Sequence, residues 1–323
     1  MLLDKIWYGT HPLRYALLPL SYIYRGVIAC RQLAYRTKIF SQQQFDVPII
    51  VIGNLTVGGT GKTPVTIALV QWLYANGFKP GVVSRGYKGK AEQWPQAVTY
   101  QSDPVEVGDE PVLIASKTRV PMMVGPKRVL AVQKLLAEYD CNVIISDDGL
   151  QHYAMARQFE VAVIDAKRGL GNRFCLPAGP LREPKSRLAT IDYLLLNGGQ
   201  GENGMRLETK PIYNITDPTI ILDHSCHQNQ TVHAVAGIGN PQRFFQTLAN
   251  LGLDIIPHAL PDHATIRPED LDFADDYPII MTEKDSVKCQ KWCSERCFAL
   301  PVEAILPSKF YDQVRLGLKC CAI

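Results

Sequence analysis

The sequence predicts an α/β protein of two lobes, the larger built on a mostly parallel sheet covered by helices on both faces. Short unbroken apolar runs alternate with segments of helical periodicity, as strands buried on two sides require. A glycine-rich loop joins the first such run directly to the first such helix. With 323 residues and 46% hydrophobic content, the chain is long enough to bury two cores.

From the amino terminus, residues 1–45 form a region of their own. Lys5, Arg14, Arg25, Arg31, Arg36 and Lys38 face only one acid, Asp4, around the apolar segment Leu13 to Cys30. Positive charge around an apolar stretch predicts a membrane-associated helix. Arg25 interrupts the stretch and Pro19 would remove a helical hydrogen bond, so a short span and an in-plane helix both stay open. Tyr22 and Tyr24 suit an interface, and the arginines can extend toward head groups.

Val47 to Ile52 is the first expected strand, and Lys62 to Asn76 the first helix of the body, with Val65, Ala68, Leu69, Trp72 and Leu73 on one face and Asn76-Gly77 as its stop. Strands follow at 80–84, 120–124, 142–146 and 160–164, with helices from about Glu110 and over Lys127 to Tyr139. The glycine-rich turn at 198–204 and the polar stretch His224 to Gln230 bracket a lobe boundary, placed at 225/226. The second lobe, 226–323, then carries a strand at 233–238, a helix at 241–251 and a strand at 279–282. Its Gly237-Ile238-Gly239-Asn240-Pro241 turn lacks the full dinucleotide fingerprint and reads as a tight strand-to-helix connection.

The loop Thr56-Val57-Gly58-Gly59-Thr60-Gly61-Lys62-Thr63 carries the first chemistry. Glycines let backbone amides close on phosphate, and the following helix adds its free N-terminal amides. Lys62 would bridge the terminal phosphates of ATP, and Thr63 would place its hydroxyl on Mg2+. Thr56 stands where the strict phosphate-loop pattern has its first glycine, but Gly58 and Gly59 supply the same freedom. The large lobe is therefore expected to be phosphate-loop NTPase-like. Asp147 and Asp148 follow a strand, so either can serve the metal, with Asp147 nearer the strand end; an Asp-Asp-Gly turn is the structural alternative.

Asp109 and Glu110, ahead of Pro111, suit helix capping as well as acid-base work. His263 in Pro261-Asp262-His263 reads, by itself, as a surface turn. Among the basic residues near the acceptor side, Arg182 and Arg85 rank above Lys127, Arg128, Arg168 and Arg173 for holding an anionic substrate. The formal charge of +3, without a basic stripe interleaved with aromatics, gives no argument for nucleic acid. Nine cysteines in a long chain read as reduced thiols, and Cys289, Cys293 and Cys297 lack the spacing and the nearby histidine of a zinc site.

Together these segments resemble the tetraacyldisaccharide 4'-kinase family of Gram-negative lipid A synthesis. The resemblance rests on Gly53 to Pro64, Ser84-Arg85-Gly86-Tyr87, Gly108-Asp109-Glu110-Pro111, Asp147 to His152, Pro177 to Glu183, Pro261-Asp262-His263 and Thr282-Glu283-Lys284-Asp285. It implies γ-phosphoryl transfer from ATP, with Mg2+, to the 4'-hydroxyl of a tetraacylated glucosamine disaccharide 1-phosphate. By the same resemblance Asp109 is the expected base and His263 its orienting partner. The implied setting is the cytoplasmic face of the bacterial inner membrane, with the acylated lipid as partner and no obligate protein partner. The competing expectation is a membrane-associated phosphate-loop ATPase or GTPase that phosphorylates no lipid.

Overall fold

The computed structural model describes residues 2–222 and 230–319. The chain opens with α1 (Leu2–Trp7), α2 (Leu13–Ala16) and α3 (Leu18–Arg36). Next come β1 (Ile49–Gly53), α4 (Lys62–Ala75), β2 (Pro80–Ser84), β3 (Gln96–Ala97), α5 (Pro104–Val107) and α6 (Asp109–Thr118). β4 (Met122–Val124), α7 (Arg128–Glu138), β5 (Val143–Asp147), β6 (Phe159–Asp165), β7 (Tyr193–Asn197) and β8 (Gly204–Thr209) complete the middle of the chain. The remainder is β9 (Ile212–Asn214), β10 (Ile221–Leu222), β11 (Thr231–Ala236), α8 (Pro241–Asn250), β12 (Asp254–Ala259), β13 (Ile279–Thr282), α9 (Glu283–Cys289), β14 (Cys297–Leu300), β15 (Val302–Ile305) and α10 (Ser308–Lys319).

Nine strands form the first sheet in the order β15-β8-β7-β6-β1-β5-β2-β4-β3. From β8 through to β4 every neighbouring pair is parallel, so β1, β2, β5, β6 and β7 all end on one edge. That edge collects the phosphate loop, Ser84, Asp147, Asp165 and Asn197, because ligands of such sheets gather beyond the carboxyl ends of the strands. The pleat sorts β1 between two cores. Ile50 and Ile52 pack with Val65, Leu69 and Leu73 of α4, whereas Ile49 and Val51 pack with Ala131, Val132 and Leu135 of α7.

The second sheet runs β10-β9-β14-β13-β11-β12 and covers a smaller core around Phe244, Phe245 and Leu248 of α8. Sheet membership departs from a simple division of the chain. β9 and β10 precede the expected 225/226 boundary yet pair into the second sheet, and β15 pairs antiparallel with β8 in the first. α10 follows β15 back and seats Phe310, Val314 and Leu318 in the first core. Gly317 permits that approach, since a Cβ there would lie 2.8 Å from the Phe159 ring. Burying side chains of this size stabilises by roughly 1.5–3 kcal/mol each, enough to fasten the carboxyl terminus to the large lobe. The boundary residues themselves, with His224 to Asn229 of the polar stretch, lie outside the described residues.

α3 lies against the large lobe rather than standing apart from it. Ser21 is buried, donates to the Cys175 carbonyl at 2.8 Å and accepts from the Ala178 N–H at 2.9 Å, while the Tyr24 hydroxyl donates to the Arg182 carbonyl at 3.1 Å. Pro19 sits in the first helical turn, where its missing N–H breaks no bond, so it starts the helix instead of interrupting it. Leu20, Tyr22, Ile23, Val27 and Leu33 face away from the body, with Ile23 and Val27 65% and 63% exposed. Among the described residues no helix is long and apolar enough to cross a membrane.

Candidate active site

The phosphate loop is held from three sides. Gly58 and Gly61 adopt φ of 111° and 92°, a backbone shape that side-chain-bearing residues resist. Asn54 Nδ2 donates to the Gly58 carbonyl at 3.1 Å, and the Val57 N–H donates to the Pro180 carbonyl at 2.8 Å. Asn197, at the end of β7, lies flush on the loop: its Nδ2 donates to the Thr60 carbonyl at 3.0 Å, and a Cβ on Gly61 would stand 2.6 Å from that nitrogen. α4 begins at Lys62 immediately afterward, aiming its first amides where an anion would sit. Thr56 and Thr60 are buried in the loop wall, and the Thr60 hydroxyl has no hydrogen-bond partner among the described residues.

The paired aspartates differ sharply in surroundings. Asp148, with φ of 47°, lies between two cations: Arg182 Nη1 is 3.0 Å from Oδ2 and Lys62 Nζ is 3.6 Å from Oδ1. Burial pushes its carboxyl up, but Lys62, Arg182 and Arg128 outweigh burial and hold it at about 2. Asp147 is 1% exposed, and among the described residues its carboxylate meets only hydroxyls, from Thr66 at 3.0 Å and Ser84 at 3.4 Å. Burial first, then the nearby Glu110 and Asp148 charges, raise it to about 6 despite Lys62. A buried carboxylate without a cation in contact is the donor that a hard divalent ion would satisfy. Mg2+ commonly takes one or two carboxylates and completes its shell with phosphate oxygens and water, so Asp147 with the Thr63 hydroxyl fits its chemistry.

Across the cleft, two lobes contribute to one cluster. Asp109 opens α6 and is 6% exposed; His263, from the turn after β12, places Nδ1 3.0 Å from both carboxylate oxygens. Lys284, one residue into α9, donates from Nζ to His263 Nε2 at 3.1 Å and to Glu110 Oε1 at 2.9 Å. An ammonium can only donate, so Nε2 must accept, which leaves the imidazole proton on Nδ1 and directed at Asp109. Lys288, one turn along α9, stands 3.5 Å from Asp109 Oδ2 and 2.8 Å from the fully buried Asp285. Burial would raise the Asp109 carboxyl, yet the His263 bond and the Lys284 and Lys288 charges together lower it to about 2. Lys284 is raised in turn: burial opposes its charge, and Glu110, Asp109 and Asp262 more than reverse that.

The structure thus unites Asp109 with His263, and Lys62 with Asp148 and Arg182. It does not bring Arg85 into contact with any of them; that side chain is exposed beyond β2. Arg128, ranked lower from sequence, is buried and reaches the Gly125 carbonyl at 2.9 Å and the Asp147 carbonyl at 3.5 Å. Burial, as the larger effect, lowers it to about 10 even beside Asp147 and Asp148. Arg168 lies over the Tyr8 ring, and Arg173 is exposed near α3. Cys289 and Cys293 bring their sulfurs to 3.5 Å beneath α9, and all six described cysteines are free thiols.

Lys284, Lys288 and Asn197 were not singled out as site residues by sequence reasoning. A readable signal existed for the lysines: Thr282 caps Asp285 N–H, so a helix starting there puts residues 284 and 288 on one face. Nothing in the sequence announces Asn197 except its place at the end of an apolar run before Gly198-Gly199.

Comparison with known proteins places these features in a wider set. The family model described as Tetraacyldisaccharide-1-P 4'-kinase matches residues 13–318. A tetraacyldisaccharide 4'-kinase of Nitrosococcus oceani is 47% identical over 315 residues, covering 97% of this chain and 93% of the relative. One from Coxiella burnetii is 46% identical over 309 residues, covering 95% and 92%. The crystal structure of LpxK from Aquifex aeolicus in complex with ATP superposes with a TM-score of 0.78 at 28% identity, covering 95% of this chain and 99% of the other.

Proposed function

This chain belongs to the tetraacyldisaccharide-1-P 4'-kinase family, and on that premise we propose how its cleft transfers the γ-phosphoryl group of ATP to the 4'-hydroxyl of the tetraacylated disaccharide 1-phosphate. The observation that carries the proposal is the meeting of Asp109 and His263, 154 positions apart in sequence, beside the phosphate loop.

Lys62, the loop amides and the start of α4 bind the phosphates and stabilise charge on the moving group. Arg182, fastened through its own backbone to Leu55, faces the same region and is suited to the transferring oxygens. Thr63 and Asp147 would hold magnesium, which neutralises phosphate charge when bound; Asp148 positions Lys62 and Arg182. The 4'-oxygen attacks the γ-phosphorus as the bond to the β–γ bridging oxygen breaks, ADP leaves, and the hydroxyl proton passes to Asp109. A carboxylate held near 2 is a weak base, so Asp109 first orients the hydroxyl and takes its proton late, once bonding to phosphorus has acidified it. His263 fixes the carboxylate by its Nδ1 proton, which the carboxylate at Nδ1 and the Lys284 ammonium at Nε2 both favour.

The acceptor also explains α3. Four acyl chains hold the lipid in a bilayer, since each buried methylene is worth about 0.8 kcal/mol. The exposed apolar face of α3, flanked by Arg25, Arg31 and Arg36, supports an in-plane position at the cytoplasmic surface of the inner membrane. Tyr24 and Ser21 join that helix to the 175–182 loop, which carries Arg182, so the proposed membrane face is tied directly to the loop that reaches the phosphate site.

The direct test incubates the purified protein with ATP labelled in the γ-phosphate and the tetraacyl disaccharide monophosphate, then locates the label. Label on the 4'-oxygen is expected. Substrate-independent ATP hydrolysis with unlabelled lipid would refute the proposal.

A further inference from the structure

The segment leading from β11 into α8 touches both halves of the site. At its start, the His263 N–H donates to the Gly237 carbonyl at 3.1 Å, and the Gly237 N–H donates to Asp285 Oδ2 at 2.9 Å. Two residues on, Gly239 comes so near the phosphate loop that a Cβ there would lie 3.4 Å from the Gly59 nitrogen. One helical turn further, Arg243 Nη2 donates to Asn197 Oδ1 at 3.3 Å, and Nη1 lies 3.7 Å from Asp165 Oδ2. Asn197 uses its other end to hold the Thr60 carbonyl. Its amide is therefore fixed in one orientation, oxygen toward Arg243 and nitrogen toward the loop.

We infer that Arg243 is a positioning residue that couples the nucleotide loop to His263: through Asn197 it locks the second lobe onto the phosphate loop. The inference rests on the kinase reading. It assigns a role to a side chain that contacts neither reacting group. One short segment, residues 237–243, links the backbone of His263 to the loop that holds the phosphates, so the loop and the histidine adopt their working positions together. Arginine suits the task because its planar fork holds an amide oxygen and a carboxylate on two nitrogens in a fixed geometry, whereas a lysine would present a single rotatable ammonium.

The test compares full-length wild type, Arg243→Gln and Arg243→Lys for binding of a non-hydrolysable ATP analogue with magnesium, and for steady-state kinase kinetics. Arg243 is half-exposed, so melting temperature should hardly move. Arg243→Gln is expected to weaken nucleotide binding and to lower kcat, each about five- to tenfold, the usual scale of coupling between sites. Arg243→Lys should recover only part. Adding Arg243→Gln to Asn197→Ala should cost little beyond Asn197→Ala alone, as for residues acting through one bond. Unchanged nucleotide affinity in Arg243→Gln, or full additivity with Asn197→Ala, overturns the inference. Should Arg243→Gln not fold, Arg243→Lys carries the same comparison against the same two outcomes. Wild-type protein that binds no adenine nucleotide would remove the kinase reading, and this inference with it.

Discussion

Replacing Lys284 by methionine probes the centre of the Asp109–His263 cluster while preserving much of the side chain's volume. Its ammonium lies 2.9 Å from Glu110 Oε1, 3.1 Å from His263 Nε2 and 3.6 Å from Asp262 Oδ1, and the side chain is only 16% exposed. Asp109 shows how much charge balance matters here, since its carboxyl falls from 3.8 to about 2 against the effect of burial. At roughly 1.36 kcal/mol per pH unit, that net shift corresponds to about 2.5 kcal/mol, and Lys284 is the largest of the charges that produce it. Two further charged hydrogen bonds disappear with it, to partners that water can partly reach, so Lys284→Met should lose about 2–3 kcal/mol of stability in all. The catalytic effect has a separate cause. Without the ammonium, the ionised Asp109 alone keeps the proton on Nδ1 and the ring loses its second anchor at Nε2, so kcat should fall about 10-fold with smaller change in ATP KM. Denaturant unfolding measures the stability effect, and label transfer to the lipid at saturating ATP the catalytic one. A folded Lys284→Met enzyme with wild-type kcat would refute the role of Lys284 in anchoring the His263 ring.

Other substitutions separate the remaining parts. Asp109→Asn should keep ATP affinity and lose turnover by a factor of about 100 or more, read from kcat and from nucleotide titration. Asp147 is held near 6 instead of 3.8, so above that pH its buried charge costs up to about 3 kcal/mol; Asp147→Asn should match or exceed wild-type stability without nucleotide while losing magnesium-dependent activity. Destabilisation of that variant in chemical melts would count against an unbalanced carboxylate. His152 is lowered from 6.5 to about 4 by burial and by the arginines Arg128, Arg157, Arg31 and Arg85. The unfolded chain therefore gains this proton first, and stability should decline as pH falls from 6.5 toward 4; His152→Gln should flatten that part of the profile. Ile23→Asp with Val27→Asp should reduce sedimentation with anionic vesicles severalfold and leave ATP binding intact, whereas unchanged vesicle binding would exclude α3 as the docking face.

How much of this was legible in the sequence depended on the range of the interactions. β1, β2, β5 and β6 could be read because a buried parallel strand is a local apolar run, and α4 because its stripe and its Asn76-Gly77 stop are local too. β7 offers the same signal in Tyr193-Leu194-Leu195-Leu196 but is overshadowed by the glycine-rich turn beside it. The return of β15 and α10 to the first lobe has no comparable signal. It depends on the free edge of β8 and on Phe159 and Tyr193 needing cover, which are facts about distant partners. Pro19 shows the opposite error, in which a rule about helix interiors meets a residue that sits in the first turn.

The site follows the same division. The phosphate loop is contiguous, so its residues identify themselves, and so do the two aspartates at the end of β5. Asp109 and His263 cannot, because capping and turn formation explain each of them alone. Charge distribution separates the two halves once the chain is folded. Around Asp109, Glu110, Asp262 and Asp285, the chain supplies its own cations in Lys284 and Lys288, and the Asp109 carboxylate is held ionised within the protein. Around Asp147 it supplies hydroxyls, and Lys62 and Arg182 are drawn to Asp148 instead. The Asp109 carboxylate thus has a cation of the protein beside it, whereas the Asp147 carboxylate has hydroxyls alone in contact among the described residues. Such an asymmetry suits a kinase that must hold a neutral sugar hydroxyl ready while taking in a polyphosphate together with its metal.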